Sequence, residues 1–380
     1  MQMVLTHYHV DTGWNRPLPN WDSEQTLVLV FGQADIQAYW SVLDHLKSYY
    51  SHSLLMGCSS AASILNGELY ETGVVVGVVK FEHTHIVQQT VSANVSENAY
   101  VSGKTLAQKL NAPSLQAVWL VGDGMSINAT EFLSGFNQHL GKQVPVFGGL
   151  ASGLGASNDV WILEHGMPMM HRMCAIGFYG AHLVTAGFAS DGWKTFGLKR
   201  MVTKAHRNII FEIDHKPALE IYKQYLGERC KTVQNFNLYY PLALWSVDNS
   251  QYVVRAIFNA DDIQQSLVLS ADITEGSQIQ FMYGYLDTLV EADETAAFAV
   301  LEQLPQHNIP LLSLTVSCVG RQLAMGEETA QELKAMCDVL PRNSQQIGFY
   351  SFGEIAPAAN QAYCSLHNET MTVMALYERI

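Results

Sequence analysis

Three segments of this chain repeat one pattern, and any fold must house all three. Each runs strand, helix, strand, then a turn of small residues. In the first, "TLVLVF" (26–31) precedes a helix with Ile36, Trp40, Leu43, Leu46 and Tyr50 near one face, and "LLM" then enters Gly57-Cys58-Ser59-Ser60. In the second, "AVWLV" (117–121) is followed by Asn128 and Glu131, spaced as an N-cap and its N3 partner. Phe132, Phe136 and Leu140 line that helix, and "VPVF" leads into Gly148-Gly149. In the third, "LLSLTV" (311–316) precedes a helix with Ala330, Leu333, Cys337 and Leu340 on one face, and "IGFY" enters Ser351-Phe352-Gly353-Glu354. The pattern suggests an old duplication, although the sequences have diverged.

Between these units, 73–92, 173–189 and 251–258 alternate or are β-branched and read as strands and hairpins. A further helix follows "NIIFEID" (208–214), with Pro217 at its start, Leu219, Tyr222 and Leu226 on a face, and Gly227 as terminator. The expected fold is α/β to α+β: two mixed-sheet domains with covering helices, built on repeated strand–helix–strand units. The architecture restarts near 215, which gives domains over 24–215 and 216–364, with 365–380 a C-terminal strand completing the fold.

Composition narrows the function. A net charge of −14 over 380 residues argues against nucleic acid and against an anionic membrane surface. The longest apolar run, "VVVGVV" (74–79), is too short to span a bilayer, and no signal peptide is visible. The six cysteines (58, 174, 230, 318, 337, 364) include no Cys-x-x-Cys pair, which suits reduced thiols and a cytoplasmic location. For the same reason a covalent c-type haem is excluded.

The glycine-rich turns match neither the dinucleotide fingerprint nor the nucleotide loop, so they admit either a ligand or a neighbouring strand. Cys58 and Cys318 are candidate nucleophiles of a thiol-dependent hydrolase, but most lone cysteines are small buried hydrophobes and no local base is evident. His7/His9 and His83/His85 are pairs spaced to share a strand face, and two ligands alone make a weak metal site. The segment 165–184 is rich in His, Met and aromatics, which is compatible with core packing or with a b-type haem. Near the C-terminus, His367, Asn368 and Glu369 stand at the mouth of an alternating strand. If that strand neighbours "GFYSFGE" (348–354), Glu354 converges with His367, Asn368 and Arg321. A buried carboxylate requires such partners; otherwise Glu354 is solvated and Asn368 caps a turn.

"SCVGR" (317–321), "GFYSFGEIAP" and "LHNETM" (366–371), in this order, resemble the C-terminal signature of the FIST family of bacterial sensory domains. "FGLKRMVT" (196–203), "NIIFEIDHKPALEIYKQYLG" (208–227), "YPL" (240–242) and "ADITEGS" (271–277) look like further landmarks, and "GCSS" (57–60) and "VFGGLASG" (146–153) fit more loosely. The chain departs from the pattern at Ala62-Ser63, where many relatives carry Gly-Glu, and at Ser152-Gly153, where many carry an acidic residue. The resemblance implies a non-enzymatic small-molecule sensor that signals to a partner such as a histidine kinase or a cyclic-di-nucleotide enzyme. Some family members bind b-type haem and sense nitric oxide; for such a haem His182, which follows the apolar strand "AIGFYGA" (175–181), is the favoured axial candidate, with His171 and His367 behind it. A haem-free sensor of amino acids or small metabolites is the alternative. The expected ligand-binding set is Gly57, Cys58, Ser59, Ser60, Cys318, Arg321, Tyr350, Ser351, Glu354, His367 and Asn368.

Overall fold

The computed structural model describes residues 1–379 except 94–97, 142–143, 154–158, 228–238, 249, 307–308 and 358–362. Cys230 lies outside the described residues. The rest is a mixed α/β protein built from three topologically equivalent units.

The first unit comprises β1 (Gln2–His9), β2 (Gly13–Trp14), β3 (Thr26–Gly32), α1 (Trp40–Tyr49), β4 (Leu54–Ser59), the hairpin β5 (Ser63–Leu65) and β6 (Glu68–Tyr70), and β7 (Val74–Lys80). The second runs β8 (His85–Ser92), α2 (Ala99–Leu110), β9 (Leu115–Gly122), α3 (Ala129–His139), β10 (Val146–Leu150), the hairpin β11 (Ile162–Glu164) and β12 (Met167–Met169), and β13 (Arg172–Tyr179). The third opens with β14 (Leu183–Ser190) and is then interrupted by an inserted domain: β15 (Lys194–His206), β16 (Ile209–Ile213), β17 (Lys216–Pro217), α4 (Ala218–Leu226), β18 (Leu242–Trp245), β19 (Tyr252–Arg255), β20 (Ile257–Asp261), β21 (Ser266–Leu269) and β22 (Gln278–Tyr283). It resumes with α5 (Leu286–Gln303), β23 (Leu312–Cys318), α6 (Val319–Met325), α7 (Ala330–Val339), β24 (Gln345–Ser351), the hairpin β25 (Gly353–Pro357) and β26 (Cys364–His367), and β27 (Met371–Glu378).

Each unit forms a sheet in which its two repeat strands pair in parallel: β3 with β4, β9 with β10, β23 with β24. Each unit then hands its hairpin to another sheet. The orders are β12-β11-β4-β3-β7-β1-β2, β26-β25-β10-β9-β13-β8 and β14-β27-β23-β24-β5-β6. The exchange is cyclic, so every sheet is completed by a hairpin from a different unit. This explains why 73–92 and 173–189 contain the expected strands but not the expected hairpins. β7 and β8 belong to different sheets, as do β13 and β14.

One glycine marks the repeat. Gly57, Gly148 and Gly348 pair with Val30, Leu120 and Thr315, and a Cβ on any of them would lie 1.7 Å from that partner's carbonyl oxygen. The strands approach too closely for a side chain. Alternate residues of the three central strands then meet in one shared core: Leu27, Leu29 and Phe31; Ala117, Trp119 and Val121; Leu312, Leu314 and Val316. Their other faces pack outward. Val28 and Val30 meet α1, and Val118 and Leu120 meet α2 and α3. In the third unit the outward face is polar, with Ser313, Thr315 and Ser317 all fully buried.

The expected helices form, with corrections. The first segment starts as a 3-10 turn over Ile36–Tyr39, which rotates the buried face onto Tyr39, Val42, Leu43 and Leu46 and leaves Trp40 49% exposed. The third is two helices, broken at Gly326, whose φ of 56° suits glycine. Asn128 caps α3 as expected, its side chain accepting from the Glu131 N–H at 3.1 Å. Pro217 stands one residue earlier than expected, at the cap.

The inserted sheet runs β19-β18-β22-β15-β16-β21-β20. Its end strands β19 and β20 are separated in the chain by Ala256 alone, so the sheet curls back on itself as a barrel. Leu219, Tyr222 and Leu226 of α4 fill it against Ile210, Leu267 and Phe281. The boundary expected near 215 falls inside this barrel, between the paired strands β16 and β17. Among the described residues no helix is long and apolar enough to cross a membrane.

Candidate functional site

A cleft of about 580 Å³ opens where the barrel meets the second unit. Ser126, Asn128 and Ala129, at the start of α3, and Ala99, at the start of α2, form one side. Arg207, Asn208, Phe258 and Asp272 come from the barrel. Leu150, Phe352 and Leu366, from three different sequence motifs, complete it. Asn128 Nδ2 donates to Asp272 Oδ2 at 2.7 Å and ties core to barrel. Met125 and Phe258, 53% and 57% exposed, flank the opening. The lining is about equally polar and apolar, and a concave junction between domains is a usual place for a small-molecule site.

Two buried polar groups lie behind the cleft. In the first, Arg321 is fully buried on α6. Its guanidinium donates to Glu332 Oε2 (3.0 and 2.8 Å), to Asp293 Oδ2 (2.6 Å) and to the Asp191 carbonyl (2.7 Å). Tyr350 Oη and Ser317 Oγ donate to Glu332 Oε1 at 2.6 and 2.8 Å. Burial opposes the charge on Arg321, but Asp293 and Glu332 outweigh it and raise its pKa. Burial pushes Asp293 upward, and its Oδ1 has no partner.

In the second group, Glu354 Oε1 accepts from Ser351 Oγ at 2.5 Å, and Oε2 accepts from Thr370 Oγ1 (2.8 Å) and N–H (3.2 Å). Burial raises Glu354 to about 7 against these bonds. Glu369, 1% exposed, is raised to about 8 by burial and by Glu354. Its backbone is left-handed (φ 54°), its carboxylate packs on Gly320, and a Cβ there would fall 2.0 Å from Oε1.

The expected residues therefore separate. Ser351 and Glu354 meet beside Cys318, whose thiol burial pushes far up. Arg321 and Tyr350 belong to the other group and do not bond Glu354. Asn368 accepts from Ser270 Oγ of the barrel at 2.6 Å, and His367 Nε2 lies 3.1 Å from the Ala356 carbonyl, lowered by burial to about 4. Gly57, Cys58, Ser59 and Ser60 sit where the three sheets meet: Ser60 Oγ donates to the Tyr350 carbonyl at 3.0 Å, and Cys58 is fully buried. None of these four lines the cleft.

The haem candidates do not fit an axial role. His182 is exposed in a turn, its ring 4.6 Å from His83 and its Nδ1 3.1 Å from the Arg379 carbonyl. His171 is exposed, its Nδ1 2.5 Å from Ser126 Oγ. Ser126 Oγ also donates to Asp123 Oδ2 at 2.7 Å. His367 is sealed in its sheet. No imidazole of the three is set in an apolar cavity. Among the described residues no cluster of three or more His, Cys, Asp and Glu could hold a metal.

Sequence reasoning missed Asp293 and Glu332. Both had a signal, since each is a carboxylate on the apolar stripe of its helix: Leu289, Asp293, Ala296 and Val300 on α5, and Glu332 beside Leu333 and Met336 on α7. Arg207 of the cleft carried none.

A three-sheet core, an inserted domain and a cleft at their junction make up the architecture of a small-ligand-binding protein. Residues 26–216 match the FIST N domain and residues 218–357 the FIST C domain. The chain belongs to the FIST family, whose domains are sensory, small-ligand-binding modules. It is also similar to an uncharacterized protein of Methanocaldococcus jannaschii, 23% identical over 310 residues. That match covers 74% of this chain and 57% of the relative, so the chain spans little more than half of that relative's length.

Proposed function

We propose that this protein senses a small polar metabolite held in the cleft between barrel and core and passes the result to a separate partner, such as a histidine kinase or a cyclic-di-nucleotide enzyme. The observation that carries this reading is the convergence of Leu150, Phe352 and Leu366 on one cleft facing the barrel. Each comes from a different stretch of family-like sequence. A ligand there touches both bodies at once, which is how occupancy can become a change of domain position. Arg207 reaches the cleft without an ion pair among the described residues and suits an acidic group, and Asp272, on the same barrel side, suits a donor. This favours an amino acid or small carboxylic acid over haem and nitric oxide, for which none of His182, His171 and His367 is set in an apolar cavity.

The test is a thermal-shift screen with amino acids and small carboxylic acids, repeated on Arg207→Ala and Phe258→Ala. A compound that raises the melting temperature of wild type and loses at least tenfold in affinity on both variants supports the site. If every compound leaves wild type unshifted while purified protein shows a sharp Soret band, the haem reading replaces it.

A further inference from the structure

Glu354 and Glu369 are not needed to line the cleft, yet they are 0% and 1% exposed. The partners of Glu354 are neutral donors, Ser351 and Thr370. Glu369 Oε2 has no hydrogen-bond partner. Among the described residues no cation forms an ion pair with either carboxylate, and Arg321 acts on both only at longer range. Cys318, at the end of β23, presents a thiol, and Arg321 of α6 a guanidinium already bonded to Asp293 and Glu332. On β26 is His367, and beyond it Arg255, which donates to the carbonyls of Val254 and Leu366. From the segment entering the barrel come Asp191, half-buried, and Trp193. Two ionised carboxylates sealed together without a cation are strongly disfavoured.

We infer that the Glu354–Glu369 pair holds a proton at neutral pH and acts as a proton switch on the joint between barrel and core. The pair touches that joint on both sides. Trp193 Nε1–H donates to the Glu369 carbonyl at 2.8 Å, and Trp193 packs on Leu289 and Met325 where the chain passes into and out of the barrel. On the other side, Phe352, two residues from Glu354, lines the cleft, and Asn368 holds Ser270 of the barrel. Losing the proton to solvent breaks one carboxyl O–H bond and leaves a second buried charge against Gly320 and Cys318. The joint loosens, and the cleft it frames changes. The inference builds on the cleft reading, but it is measured on the protein alone and stands or falls without any ligand.

Burial raises both acids, Glu354 to about 7 and Glu369 to about 8, from a value of 4.5. The folded state therefore binds protons that the unfolded chain has released, and stability falls as pH rises from about 4.5 to about 8. Urea unfolding across this range should show that fall in wild type, and Glu369→Gln, which mimics the protonated acid, should remove the uptake of about one proton. An unchanged slope in Glu369→Gln overturns the inference. Should that variant not fold, infrared spectra of wild type decide. A protonated-carboxyl stretching band present at about pH 6 and bleached by about pH 9 is expected, and its absence at the lower pH rejects the switch.

Discussion

Arg321 and Asp293 meet at 2.6 Å with both side chains fully buried, and through them α6 of the third unit grips α5, the helix that leads out of the barrel. The same guanidinium holds the Asp191 carbonyl on the way into the barrel. One residue thus fastens both connections of the inserted domain. Arg321→Met leaves Asp293 and Glu332 buried without a cation, and the expected loss is on the order of 3–5 kcal/mol in urea unfolding. Asp293→Asn keeps an acceptor for the guanidinium and should lose less. A methionine variant as stable as wild type would show that the barrel is held by other contacts.

Gly348 separates close strand approach from ordinary backbone preference. A Cβ there collides with the Thr315 carbonyl oxygen at 1.7 Å, deep in a sheet where neither strand can move away. Gly348→Ala should therefore not accumulate as folded protein. Gly276, with φ 84° and no atom within 4 Å of its Cβ position, is the control. Its alanine variant meets only the left-handed penalty, about 1–2 kcal/mol, and should fold. Comparable soluble yields of the two variants would contradict this account.

The repeat itself was readable because it is local. Period, caps and the small-residue turns all lie within about thirty residues of one another, where sequence pattern speaks most clearly. The hairpin exchange was not readable. Ser63–Leu65 pairs with Phe349–Ile347, a partner nearly three hundred residues away that no periodicity announces. The polar cluster after residue 350 was legible as a buried carboxylate in search of partners, and Glu354 is indeed buried. Its partner was misassigned, because Arg321 sits on the neighbouring strand–helix turn but points to carboxylates of α5 and α7. The cleft was invisible for a different reason: half of it is the surface of an inserted domain, and its residues are ordinary Asn, Ser and Phe.

Glu378 should govern stability in acid. Its carboxylate accepts backbone N–H bonds from Glu82 (2.8 Å), His83 (2.9 Å) and Thr84 (2.6 Å), pinning the end of β27 to the link between the first two units. Burial opposes ionisation, but these donors prevail and lower the pKa from 4.5 to about 2. The folded pKa lies below the unfolded one, so the contribution is complete above about 4.5 and is lost as pH falls toward 2. Glu378→Gln should cost about 1.5–3 kcal/mol near neutrality, the range for hydrogen bonds to a charged group, and flatten the acid limb of the stability curve. An acid limb identical in variant and wild type would discount Glu378 as its source.

The cyclic exchange carries the last prediction: the FIST N segment, 26–216, does not fold alone. Excised, it keeps β3, β4, β9 and β10, but its hairpin β5–β6 loses the strand it pairs with, β24. β10 loses β25, which pairs at Gly148, Gly149 and Leu150. β1, which pairs with β7 over seven residue pairs, is also left behind. The shared core loses Leu312, Leu314, Val316, Ile347 and Phe349, so Phe31 loses the ring stacked 5.0 Å from it. Each of these large apolar side chains contributes roughly 1.5–3 kcal/mol by burial, and together they are comparable to the whole 5–15 kcal/mol by which a typical domain is stable. The excised segment should show no cooperative thermal transition, whereas residues 1–380 should unfold in one. A sharp transition for the fragment, with dispersed amide resonances, would mean that the exchanged hairpins are additions to a unit already stable without them.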